Sequence, residues 1–152
     1  MSVLKQFNLA RTSFLTFLKD LDDSILNKES NYFENTILWH VGNTLFINEK
    51  LLFVSQKNSQ KIPSYYAELF SSDIKVSDWK RSAPSLDTLI DELVDQQNRI
   101  NSFGELFWKS DVKFKVPHGH VETHEDLLIM LSHREAETLG KLKIMKQIAE
   151  SE

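Results

Sequence analysis

An all-α fold, a four-helix bundle with a long irregular connection between its second and third helices, is predicted by three observations. Four stretches repeat apolar residues at intervals of three and four, the spacing of one face of an α-helix. Only 4 Gly and 3 Pro interrupt the 152 residues, so the long segments run unbroken and the breakers gather between them. The length and the 41% apolar content suffice for a single domain, residues 1–152, with a core that needs no staples.

Residues 3 to 21 align Leu4, Phe7, Arg11, Phe14, Leu18 and Leu21 on one face, which Ala10 and Phe17 widen. Residues 22 to 34 are rich in Asn, Ser, Asp and Glu and read as a connection. Asn35 is the expected N-cap of a second helix over residues 36 to 54. That helix is apolar on most sides, as befits the middle of a bundle. One of its stripes, Thr36, His40, Asn43, Ile47, Leu51 and Val54, carries polar side chains into it. Residues 55 to 84, with Pro63 and Pro84, form the irregular connection around a short helical piece near Tyr65 to Phe70.

Ser85 caps a third helix with the face Leu86, Leu89, Ile90, Leu93 and Ile100. From Phe103 to Glu122 the period breaks. Val112, Phe114 and Val116 alternate there with Lys113 and Lys115, as in a short strand or an extended chain. Thr123 with Asp126 resembles a capping box opening a last helix from His124 to about Ile148. Its inward stripe is Leu127, Leu131, Arg134, Thr138, Leu142 and Met145.

Several functions are excluded by what is missing. A net charge of -4 without a basic block gives no footprint for nucleic acid. No apolar run is long enough to span a membrane, and no signal segment is expected at the start. The absence of Cys removes disulfides, thiolate ligands and a cysteine nucleophile, and fits the cytoplasm as the expected location. Neither a nucleophile elbow nor a Gly-rich phosphate loop occurs.

Several segments, in order, resemble the DinB-like superfamily of four-helix bundles. They are Leu4-Lys5-Gln6-Phe7 with Arg11; Asn35-Thr36-Ile37-Leu38-Trp39 with Gly42 and Glu49; and Pro63, Tyr66, Leu69-Phe70, Asp78-Trp79 and Pro84-Ser85. Glu122-Thr123 and Glu135-Ala136 with Leu139-Gly140 complete the set. The resemblance implies a homodimer and, where the family's site is intact, three histidines holding a divalent metal that activates a thiol for S-transfer. One histidine lies on the second helix and two, four apart, on the last, so that three ligands leave an open coordination position. In the register set by Glu135 and Leu139-Gly140, those positions here hold Asn43, Arg134 and Thr138. None is a good zinc or nickel ligand, and Arg134 is a fixed cation. The expectation is therefore a degenerate metal site with no cofactor, a pocket lined by Asn43, Arg134, Thr138, His40 and Glu49, and Glu49 or Glu135 as the partner of Arg134.

A shifted set, His40, His133 and Glu137, offers an alternative zinc or nickel site, because His133 and Glu137 are four apart. They are nevertheless turned about 100° from the Arg134 stripe. His118, His120 and His124 form a second cluster, beside Pro117 and Gly119, that reads as an ordinary turn. Trp39, Trp79, Trp108, Tyr65 and Tyr66 read as core, the pairs Asp22-Asp23 and Asp91-Glu92 as solvated surface, and Lys141, Lys143 and Lys146 as complements to the helix dipole. Three functions follow: a small-ligand-binding or regulatory bundle using the remodelled pocket, favoured over any enzyme; a metal-dependent thiol S-transferase using the shifted set; and a purely structural bundle.

Overall fold

A computed structural model describes residues 2–54, 61–116 and 119–152. Four long helices make the bundle: α1 (Ser2–Lys19), α2 (Ile37–Leu52), α4 (Leu86–Asn101) and α6 (His124–Ser151), with short helices α3 (Tyr66–Phe70) and α5 (Glu105–Lys109) in the connections. α1 and α2 each pack on both α6 and α4, which closes a square of helices. No strand forms among the described residues. Val112 to Val116 form an irregular segment that bends at Lys113 and Phe114, tied to the start of α6 by an isolated bridge between Asp111 and Thr123.

Local chemistry sets the helix starts. Ser85 Oγ accepts the Thr88 N–H at 3.1 Å, and Thr123 and Asp126 exchange the two bonds of a capping box. The cap of α2 is Thr36 rather than Asn35: the Thr36 hydroxyl accepts the Trp39 N–H, while Asn35 Oδ1 is drawn away to accept Val76 N–H at 3.1 Å. The long first connection contains one 3-10 turn, Asp23–Ile25, capped by Asp22, and it buries Ile25 and Leu26. Trp39, Tyr66 and Trp108 are core as expected, with Tyr65 and Trp79 packed half-buried at its edge. α5, whose Trp108 is buried, was hidden in the sequence by its shortness.

A polar layer divides the core in two. On α1, Arg11 lies between Phe7 and Phe14; on α2, Asn48 and Glu49 lie between Leu45 and Leu52. On α4, Gln96 lies between Leu93 and Ile100; on α6, Glu135 lies between Leu131 and Leu139. Arg11 grips Glu135 with two bonds, from Nε at 2.8 Å and Nη2 at 3.0 Å; Nη2 also donates to Gln96 Oε1, and Nη1 donates to Leu93 C=O. Asn48 Nδ2 donates to Glu135 at 3.2 Å. The Gln96 amide passes the network on to Glu49, which Arg99 clamps with two bonds at 2.8 and 2.9 Å. Every member is therefore answered, as burial requires.

This layer corrects the expected ion pairing. Glu135 belongs to Arg11 and Glu49 to Arg99, so neither is the counter-ion of Arg134. It also corrects the face of the last helix: the residues buried on α6 include Leu128, Leu131, Ser132, Glu135, Leu139 and Leu142, while Arg134 and Thr138 flank that stripe half-buried. The lysines do not cap the helix either, because α6 continues to Ser151 and carries no basic residue in its last turn.

Candidate ligand-binding cleft between the second and last helices

α2 and α6 run antiparallel, so His40 stands near Thr138 and Asn43 near Arg134. Between them opens a cavity of about 550 Å³ lined by Trp39, His40, Asn43, Arg134, Thr138 and Lys141, with Phe33, Ser72 and Glu137 among those at its edges. Its volume lies in the range of small-molecule sites. Asn43, Arg134 and Thr138, the positions expected for the family's ligands, thus line one cavity with His40. Glu49 does not line the cleft; it is held in the polar layer by Arg99, Gln96 and the Lys61 N–H.

Gly42 fixes one wall. A Cβ there would meet the Phe70 ring at 2.2 Å, so only glycine lets α3 approach α2 this closely. That approach puts the Phe70 carbonyl where Asn43 Nδ2 donates to it at 2.6 Å. The other end of the same amide, Oδ1, accepts the Arg134 guanidinium at 2.7 Å. Both ends of Asn43 are therefore committed, and they aim Arg134 along the cleft.

The electrostatics are uneven. Among the described residues no carboxylate forms an ion pair with Arg134, and burial pushes its pKa down, while Glu135 and Glu137 pull the other way. His40 lies edge-on to Trp39 at 4.9 Å, and no side-chain hydrogen bond holds its imidazole among the described residues. Burial first, then the charges of Lys141 and Arg134, push its pKa down to about 4, so it is neutral at pH 7. Lys141, Glu34 and Glu137 lie exposed at the rim, which leaves Arg134 as the cation of the interior. The Trp39 indole N–H is buried without an acceptor among the described residues.

The shifted histidine set does not assemble. His133 Nε2 meets Glu137 at 2.7 Å on the outer surface, where the two side chains are 75% and 68% exposed, and His133 does not line the cleft that holds His40. Among the described residues no three His, Cys, Asp or Glu side chains gather closely enough to hold a metal ion. In the second cluster, His118 and Pro117 lie outside the described residues. His124 is buried against Ser110 at 3.0 Å and Phe107, and His120 is exposed.

Sequence reasoning missed Lys141, Ser72 and Phe33 as cleft residues. Lys141 follows Thr138 by three on the same face of α6, a spacing that was available; Ser72 and Phe33 come from connections and carry no periodic signal. It also read Glu92 as solvated, whereas Glu92 is half-buried and accepts the Tyr66 hydroxyl at 2.5 Å. Among the described residues no helix is long and apolar enough to cross a membrane. The chain matches the family described as the DinB superfamily over residues 6–135. No curated protein matches it.

Proposed function

The chain belongs to the DinB superfamily, and from that premise we propose that it binds a small anionic ligand in the α2–α6 cleft, without a divalent metal, as a binding or regulatory bundle rather than an enzyme. The carrying observation is Arg134, a half-buried guanidinium that opens on a cavity of about 550 Å³ with no carboxylate paired to it. A desolvated cation interacts with an anion far more strongly than one at the rim does. A purely structural interior would instead have closed Arg134 into an ion pair, as Arg11 and Arg99 are closed.

The chemistry of the three family positions supports the metal-free part of this reading. The Asn43 amide is already used by Phe70 and Arg134, the guanidinium offers no lone pair, and a neutral Thr138 hydroxyl is a poor ligand for zinc or nickel. These residues do not fit a divalent ion, and Arg134 would repel one.

Calorimetric titration with acetate and with inorganic phosphate tests the proposal. Saturable binding of at least one of them is expected, weakened about tenfold or more in Arg134→Gln and kept in Glu137→Gln. Failure of both anions to bind, or identical binding by Arg134→Gln, would overturn it. Metal analysis of untagged protein tests the second half. One equivalent of zinc or nickel, lost in His133→Ala, would favour the thiol S-transferase built on His40, His133 and Glu137.

A further inference from the structure

A second cavity, of about 650 Å³, adjoins the first and differs from it in kind. Ser72, Arg134 and Glu137 line both, so the two meet at Arg134. Beyond that junction, where Lys115 and His133 stand exposed at the edge, the walls are largely apolar: Ile47 and Leu51 continue the α2 stripe of His40 and Asn43, Met130 lies one turn from Arg134 on α6, and Phe114 and Val116 come from the segment before α6. All five are only partly covered, so this wall is apolar surface left in contact with solvent. From His40 to Leu51 the stripe spans about 16 Å at the rise of an α-helix.

We infer that the ligand is an amphipathic carboxylate, whose charged end sits on Arg134 and whose hydrocarbon chain lies in the apolar arm along Ile47, Leu51 and Met130. The inference rests on the anion-binding reading above and specifies its substrate class. The argument is one of charge and polarity: Arg134 stands half-buried where a polar chamber joins a largely apolar one, while Lys141 and Lys115 lie exposed at the rims of the two. A small inorganic anion would leave the apolar arm wet, and a neutral hydrocarbon would leave Arg134 without a counter-ion. A molecule with one negative end and an apolar tail satisfies both chambers together. Burying each methylene of such a tail multiplies affinity by about two- to fourfold, the upper value applying to complete burial.

Calorimetric titration of the full chain with acetate, octanoate and 1-octanol separates this inference from the reading beneath it. Octanoate is expected to bind at least about tenfold more tightly than acetate. Arg134→Gln should weaken both acids. Val116→Glu, on a partly exposed irregular segment, should bring octanoate down to the level of acetate while leaving acetate unchanged. A melting curve for each variant checks that it is folded. Octanoate binding no more tightly than acetate, with acetate still dependent on Arg134, would overturn the tail and leave the anion site standing. Octanol binding as tightly as octanoate, with Arg134→Gln affecting neither, would overturn both.

Discussion

Replacing Glu135 with Gln tests the polar layer directly. The Glu135 carboxylate accepts two bonds from Arg11 and one from Asn48, and both it and Arg11 are essentially inaccessible to water. Glu135→Gln preserves the volume but strands the guanidinium as a buried, uncompensated charge, which costs about 3–5 kcal/mol. In a chain of this size that is a fall of about 10 °C in melting temperature. Urea titration at pH 7 reads it as a lower midpoint with an unchanged slope. The double substitution Arg11→Met with Glu135→Leu removes both charges. It is expected to lose clearly less than the two single losses added together, because an apolar pair leaves only Gln96, Asn48 and the Leu93 carbonyl short of a partner. A loss below about 1 kcal/mol for Glu135→Gln, or simple additivity in the double variant, would refute the reasoning.

Three other outcomes are expected. Arg134→Gln should cost less than about 1 kcal/mol in the same titration, because it breaks one bond to Asn43 and strands no carboxylate; a loss equal to that of Glu135→Gln would mean an unseen ion pair. His40 has a folded pKa of about 4 against an ordinary 6.5, so the unfolded chain holds the extra proton between those values. Its contribution is therefore complete above about pH 6.5 and lost as the pH falls toward 4, and His40→Leu should flatten the change in unfolding free energy between pH 7 and pH 5, read by urea titration, by roughly 1 kcal/mol after allowing for its partial exposure. Gly42→Ala should cost about 1–3 kcal/mol, because the new methyl overlaps the Phe70 ring, and Phe70→Leu in the same chain should restore part of the loss.

The sequence made the bundle legible because its apolar period is strong on α1 and α4, though weak on α6, and the Ser85 and Thr123 caps follow from residue type alone. It failed where two residues compete for one role. Asn35 and Thr36 are both good caps, and only the distant Val76 N–H, which captures Asn35, decides between them. It failed similarly on α6, where Arg134 and Glu135 are adjacent and each can be reached by a period of three or four. The buried stripe through Leu128, Leu131, Glu135, Leu139 and Leu142 becomes evident once Arg11 and Gln96 are seen at the same level on neighbouring helices. That Asn43, Arg134, Thr138 and His40 share one cavity was expected from the family resemblance, which set the register of α6, and not from helical spacing, which placed each only on its own helix. The apolar arm was not, because Phe114 and Val116 reach it from a segment with no helical period.

The polar layer also bears on how the chain finds its fold. Leucines on either side of the layer are interchangeable enough that a helix slid by one turn, about 5.4 Å, could still meet apolar surface. The same slide would carry Arg11 away from Glu135, or Gln96 away from Glu49, and set a charge or an amide against hydrocarbon. Misaligned compact states are thus disfavoured far more than their apolar contacts alone would make them. The expected consequence of an all-apolar replacement at Arg11, Asn48, Glu49, Gln96, Arg99 and Glu135 is a chain that resists urea well but samples several helix alignments, with broadened side-chain resonances to show it.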